Sequence, residues 1–135
     1  MLKIGIPKEI RNFEGRVMIT PEGAKVLVRN GVEVFVERGA GELCRFDDIL
    51  YEKAGAVIVP TIEKLLQKTD LLVKVQPPTP VEYELLDKRH IIMSFINYIQ
   101  QGERIQALVN TGATYFAAEL IQDEDGRYPM LMGMS

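Results

Sequence analysis

An open, doubly wound α/β domain is the fold the sequence predicts, and three observations predict it. Short apolar runs alternate with amphipathic segments about five times along the chain. Two of the runs, Leu71–Val75 and Ile91–Ile96, are apolar almost throughout. Strands covered on both faces look like this, whereas half-exposed antiparallel strands alternate. Turn chemistry separates the segments at each junction, and strand–helix–strand units of this kind join parallel strands by right-handed crossovers, with helices on both faces.

The elements follow in order. Leu2–Ile6 is a strand closed by Pro7, which keeps its predecessor extended. Thr20-Pro21 opens a helix, Thr as the cap and Pro at the first position, where no N–H is needed. Ala24, Leu27 and Val28 share its apolar face, and Gly31 is the residue beyond its end. Val32–Glu37 alternates as a strand, and Arg38–Phe46 is a Gly-rich loop. Asp47 or Asp48 starts a short helix ending near Gly55, before the strand Ala56–Val59. Thr61 caps a helix that ends before Asp70, and the strand Leu71–Val75 follows until Gln76-Pro77-Pro78 stops it. Thr79-Pro80-Val81-Glu82 is a capping box opening a helix to about Asp87. Ile91–Ile96 is a strand, Gly102–Asn110 a helix and Thr114–Ala118 a strand, followed by a polar turn at Asp123–Gly126 and a Met-rich tail. No linker composition divides the chain, and one domain is expected of its 135 residues.

Composition narrows the function. The apolar share of 47% and charged share of 26% are those of a folded globular protein. A net charge of −3 without a basic stripe argues against nucleic acid and anionic membrane as partners. No apolar run approaches the roughly 18 residues that span a bilayer, and the first residues lack a secretory core, so a cytoplasmic protein is expected. One cysteine, Cys44, and one histidine exclude a disulfide within the chain and a zinc site of the His/Cys type, and no metal is expected.

In doubly wound sheets, ligands sit beyond the carboxyl ends of the strands. That rule selects Arg16 in the loop after the first strand, Lys74 at the end of the fourth, Asn97 and Tyr98 after the fifth and Glu119 after the last. Arg16 and Lys74 on one rim suit a carboxylate or phosphate, the one as a planar fork and the other as a point charge; the alternative is two surface ion-pair partners. Lys74 is the stranger of the two, because a lysine within an apolar strand must pair, snorkel or serve a site. His90 stands where the fifth strand begins, about six residues and roughly 20 Å from the rim at 3.3 Å per residue, and is expected at the surface. Gly39-Ala40-Gly41 imitates the start of a dinucleotide fingerprint, but Cys44 holds the third glycine position and a Gly-rich bend is the better reading.

The segments IGIPKEI, EGRVMITPEGAKVLVRNGVEVFVERGAG, FDDILYEKAGAVIV, DLLVKVQPP and QDEDGRYPMLMGMS resemble the N-terminal domain of alanine dehydrogenases, over the whole chain. The α subunit of proton-translocating pyridine nucleotide transhydrogenases shares that domain. The resemblance implies the flavodoxin-like, substrate-side half of a two-domain oxidoreductase, with residues 1–135 as that half and an NAD-binding Rossmann domain downstream, in the same or a separate chain. It implies that Arg16 and Lys74 hold the carboxylate of a 2-oxo acid or amino acid. It places Met134 and Ser135 near the nicotinamide, and it puts Asn97 where alanine dehydrogenases carry a catalytic histidine. Asparagine does not shuttle a proton at neutral pH.

Three functions follow. The first is an NAD-linked amino-acid dehydrogenase half, for which the QDEDGRYP segment speaks. The second is a transhydrogenase α-type domain, which needs no acid–base group at Asn97. The third is a non-catalytic domain that keeps Arg16 and Lys74 as an anion clamp. A homo-oligomer is expected from apolar surface around Met130–Met134, and no catalysis from residues 1–135 alone.

Overall fold

The structure is a computed structural model and describes residues 2–10, 15–76, 78–95, 110–118 and 124–126. Six strands form one sheet: β1 (Lys3–Ile6), β2 (Glu33–Glu37), β3 (Val57–Val59), β4 (Leu71–Val73), β5 (Ile91–Ser94) and β6 (Thr114–Ala117). Every pairing is parallel, and the order is β3-β2-β1-β4-β5-β6. This is the doubly wound open sheet expected from the sequence, with β1, β2, β4 and β5 inside it. The chain steps outward twice, from β1 to β2 to β3, then returns past β1 to β4. The strand order therefore reverses between β1 and β4, where the register pairs Ile4 with Leu71 and Gly5 with Leu72.

Among the described residues four helices lie between the strands: α1 (Pro21–Arg29), α2 (Asp48–Lys53), α3 (Ile62–Lys68) and α4 (Pro80–Tyr83). Thr20 and Thr61 cap α1 and α3, their hydroxyls accepting from Gly23 N–H and Lys64 N–H, each such cap contributing about 1 kcal/mol. Side chains alternate across the strands, so the sheet has two cores. Ile6, Val34 and Val36 meet Ala24 of α1 and Tyr51 of α2 on one face. Val59, Leu72 and Ile92 meet Leu65 and Leu66 of α3 and Leu86 on the other, with Phe35 and Tyr83 packed against them. Tyr51 is fully buried, donates to the Ile19 carbonyl at 2.8 Å, and has its phenol pushed up to about 12 by burial.

The expected helix over 79–87 is shorter than its pattern suggested. It stops at Tyr83, and Leu85 N–H and Leu86 N–H then bond three residues back, to Glu82 and Tyr83, in tight turns. The fourth strand keeps its expected length in hydrogen bonds: Lys74 N–H donates to Met93 and Phe95 N–H to Val75 beyond the regular ladder. The expected helix 102–110 lies outside the described residues but for Asn110. No helix among the described residues is long and apolar enough to cross a membrane.

Candidate functional site

β1 and β4 run side by side, so the residues that follow them share one rim at the point where the strand order reverses. Past β1 the chain turns through the buried Pro7 to Lys8 and Glu9; past β4 it reaches Lys74. Glu9 crosses the gap. Its two carboxylate oxygens accept from the Val75 N–H at 3.1 Å and the Gln76 N–H at 3.2 Å. Its side chain is 4% exposed, and its Oε1 lies 4.0 Å from Lys74 Nζ. Burial raises the Glu9 pKa above the ordinary carboxylate value, against the Lys74 charge and the two N–H donors, which lower it.

Lys74 is the buried cation of the site, its side chain 1% exposed. Both oxygens of Glu82 lie 2.9 Å from its Nζ. Glu82 is itself held on the first turn of α4, where its Oε1 accepts from the Thr79 N–H at 2.9 Å and the Thr79 hydroxyl at 3.1 Å. Of the three fates open to a lysine in an apolar strand, pairing is the one the structure displays. An isolated ammonium at this depth would be costly, and two carboxylates offset that cost. Glu37, at the end of β2, completes the cluster. It accepts from the Lys8 N–H at 2.9 Å, and its pKa is raised first by burial and further by the charge of Glu82.

Arg16 is exposed and lines a pocket of about 140 Å³ with Lys8, Glu9, Gly39, Ala40 and Glu42. Glu9 thus borders this pocket while its carboxylate lies 4.0 Å from Lys74. The Gly39–Gly41 segment bends at Gly39, whose φ is +80°, and the Gly39 N–H donates to Asp48 while the Ala40 N–H donates to Glu37. Those amides are spent within the protein, as befits a bend rather than a phosphate cradle. Cys44 donates from its thiol to the Gly15 carbonyl at 2.9 Å and ties the loop before α1 to this bend.

His90 is not at the surface: it is 3% exposed. Its Nδ1 accepts from the Asp87 N–H at 3.0 Å, and its Nε2 is 3.2 Å from the Leu66 carbonyl and 3.0 Å from Arg89. Both ring nitrogens are thus occupied within the protein. A histidine at a strand start becomes buried here because α3 ends over it. It lies at the opposite end of the sheet from Lys74, as expected, since Ile91 pairs with Leu71 at the head of β4. Asn97, Tyr98, Glu119, Met134 and Ser135 lie outside the described residues.

Three site residues were not selected from the sequence: Glu9, Glu37 and Glu82. A signal for Glu82 existed, because a buried lysine requires a counter-ion and the capping-box glutamate eight residues on is within reach once α4 folds back; Glu9 and Glu37 come to the cluster only through the strand order.

The chain is thus a doubly wound α/β domain with a charged cluster at its strand reversal, the place where domains of this architecture generally take their ligands. Residues 5–135 match the family described as alanine dehydrogenase/PNT, N-terminal domain, and the chain belongs to that family. It is 38% identical to an alanine dehydrogenase of Mycobacterium tuberculosis over 134 residues, 99% of this chain and 36% of the relative. With the alanine dehydrogenase of Bacillus subtilis it shares 38% over 132 residues, 98% of this chain and 34% of the relative. Among solved structures, an L-alanine dehydrogenase superposes with a TM-score of 0.89 at 34% identity, covering 98% of this chain and 37% of the other. A transhydrogenase from Sinorhizobium meliloti superposes at 0.80 and 33%, covering 88% and 35%. The chain thus spans about a third of the length of the proteins it matches.

Proposed function

We propose that the chain is the substrate-side domain of an NAD-linked oxidoreductase like alanine dehydrogenase, acting on a small 2-oxo acid or amino acid together with a nucleotide-binding domain. The observation that carries this reading is the buried cation Lys74 at the strand reversal, next to a pocket lined by Arg16. Membership of the family and the names of its relatives support it. In this reading Arg16 supplies the fork and Lys74 the point charge for the substrate carboxylate, Met134 and Ser135 approach the nicotinamide, and Asn97 orients substrate without moving a proton. Arg16 is exposed, so without a covering domain a ligand on it stays wet and their attraction is near the surface limit.

The test is NADH oxidation with pyruvate and ammonia. The protein carrying residues 1–135 together with a nucleotide-binding domain is expected to turn over, and Arg16→Met, a change at an exposed position, is expected to raise KM for pyruvate at least tenfold. Residues 1–135 alone are expected to show no turnover and pyruvate binding no tighter than millimolar. Unchanged KM in Arg16→Met, or robust turnover by residues 1–135, would reject the reading.

Asn97 favours a second reading, a transhydrogenase-type domain, because hydride transfer between two nucleotides needs no acid–base group there. Transfer from NADPH to an NAD analogue, without turnover of pyruvate, would select it. Self-association of the protein and a cytoplasmic location belong to both readings.

A further inference from the structure

We infer that Glu82 is a positioning residue for the Lys74 ammonium, aiming its remaining N–H at the ligand carboxylate; this rests on the proposed carboxylate site. Lysine is a poor directional donor, a compact charge on a flexible stem with three rotatable N–H groups. Here the stem is buried and both Glu82 oxygens sit 2.9 Å from Nζ, so two donors are engaged on one side. Glu9, at 4.0 Å, is an ionic neighbour beyond hydrogen-bond range. The third N–H is therefore the one a ligand oxygen takes, and its direction is set by where Glu82 stands.

Glu82 can set that direction because it is fixed from behind. Its Oε1 accepts from the backbone and the hydroxyl of Thr79, and the residue is 3% exposed. One carboxylate thus caps α4 and orients the cation. The two roles have different requirements. A cap needs only a neutral acceptor, which a glutamine amide oxygen provides. Holding an ammonium with two oxygens needs the carboxylate, since glutamine would turn its NH2 donors toward the N–H groups of Nζ.

Glu82→Gln separates them. In the protein with its nucleotide-binding domain, Glu82→Gln is expected to raise KM for pyruvate at least tenfold while KM for NADH stays within twofold, with a lower melting temperature because the buried ammonium loses its contacting counter-charge. Glu82→Asp, which restores the charge on a shorter arm, is expected to recover part of the loss. A purely structural role would lower the active fraction, and so kcat, without moving either KM. A pyruvate KM within twofold of the parent overturns the inference. So does a lowered one, since that would mean Glu82 competes with the ligand for Lys74. If Glu82→Gln does not fold, Glu82→Asp is the test: a threefold or greater rise in pyruvate KM alone supports the role, and an unchanged KM rejects it. Arg16→Met in the same assay separates the two levels. If it raises KM and Glu82→Gln does not, only the positioning role fails. If neither does, or the parent shows no pyruvate turnover, the carboxylate site fails and this inference with it.

Discussion

Glu37 shows how a single side chain carries the electrostatics of the rim into stability. Burial and the charge of Glu82 raise its pKa in the folded protein, outweighing the Lys8 N–H and the Lys74 and Lys8 charges. A raised carboxyl pKa means that, above the unfolded value near 4.5, the folded state holds a proton the unfolded state has released. The stabilisation is complete below that value and is lost as pH rises through the folded pKa. Glu37→Gln removes this dependence and keeps an oxygen to accept from the Lys8 N–H. Thermal unfolding of the two proteins between pH 4 and pH 7 is therefore expected to diverge, the variant gaining on the parent as pH rises. A constant difference would show that the carboxyl titrates alike in both states. That Glu37 belongs to the site was not legible in the sequence. It reads there as the polar end of an alternating strand, and only the neighbouring strand ends reveal which charges surround it.

At the scale of elements, the boundaries with strong local chemistry were the legible ones. Thr20-Pro21, Thr61 and the Thr79–Glu82 box place three helix starts, because each satisfies N–H groups that would otherwise be orphaned. The end of α4 was not legible, since Leu85 and Leu86 continue an apolar spacing that tight turns serve as well as a helix. The glycines divide in the same way. Gly31 follows α1 with φ +85° and open space around it, a conformational requirement visible as the residue beyond a helix end. Gly41 has an ordinary φ of −101°, and its requirement is room. A Cβ there would stand 2.7 Å from the Phe46 carbonyl oxygen and 2.9 Å from the Tyr51 ring. Neither can yield, as that bend is pinned by Cys44 N–H and Phe46 N–H donating to the Gly41 carbonyl. Gly41→Ala is accordingly expected to cost about 1–3 kcal/mol, measured by urea unfolding. A cost within 0.3 kcal/mol, roughly that of a neutral surface change, would mean the bend relaxes freely.

For the whole molecule, the parallel architecture was legible from apolar continuity, while the strand order was not, because nothing local records which side of β1 the chain returns to. The same return places Lys74 beside Glu9, so this second carboxylate near the buried lysine became apparent only with the topology. That β1 sits between β2 and β4 also dictates a history for the growing chain. Synthesised from its first residue, the protein can assemble β1, β2 and β3 with α1 and α2 and bury Ile6, Val34 and Val36 on one face. The far flank of β1 and the face bearing Phe35 must wait for α3 and β4. At roughly 5–20 residues per second, elongation from Val59 to Val73 leaves that flank open for about a second or more. A nascent fragment ending at residue 60 is therefore expected to bind a chaperone or a hydrophobic dye, and one ending at residue 95 to bind far less; equal binding by the two would show that β4 does not close the sheet. Of these six strands, the one made earliest is thus finished on both sides only after β4 has been made, and until then its open edge is the part of this sheet most in need of protection.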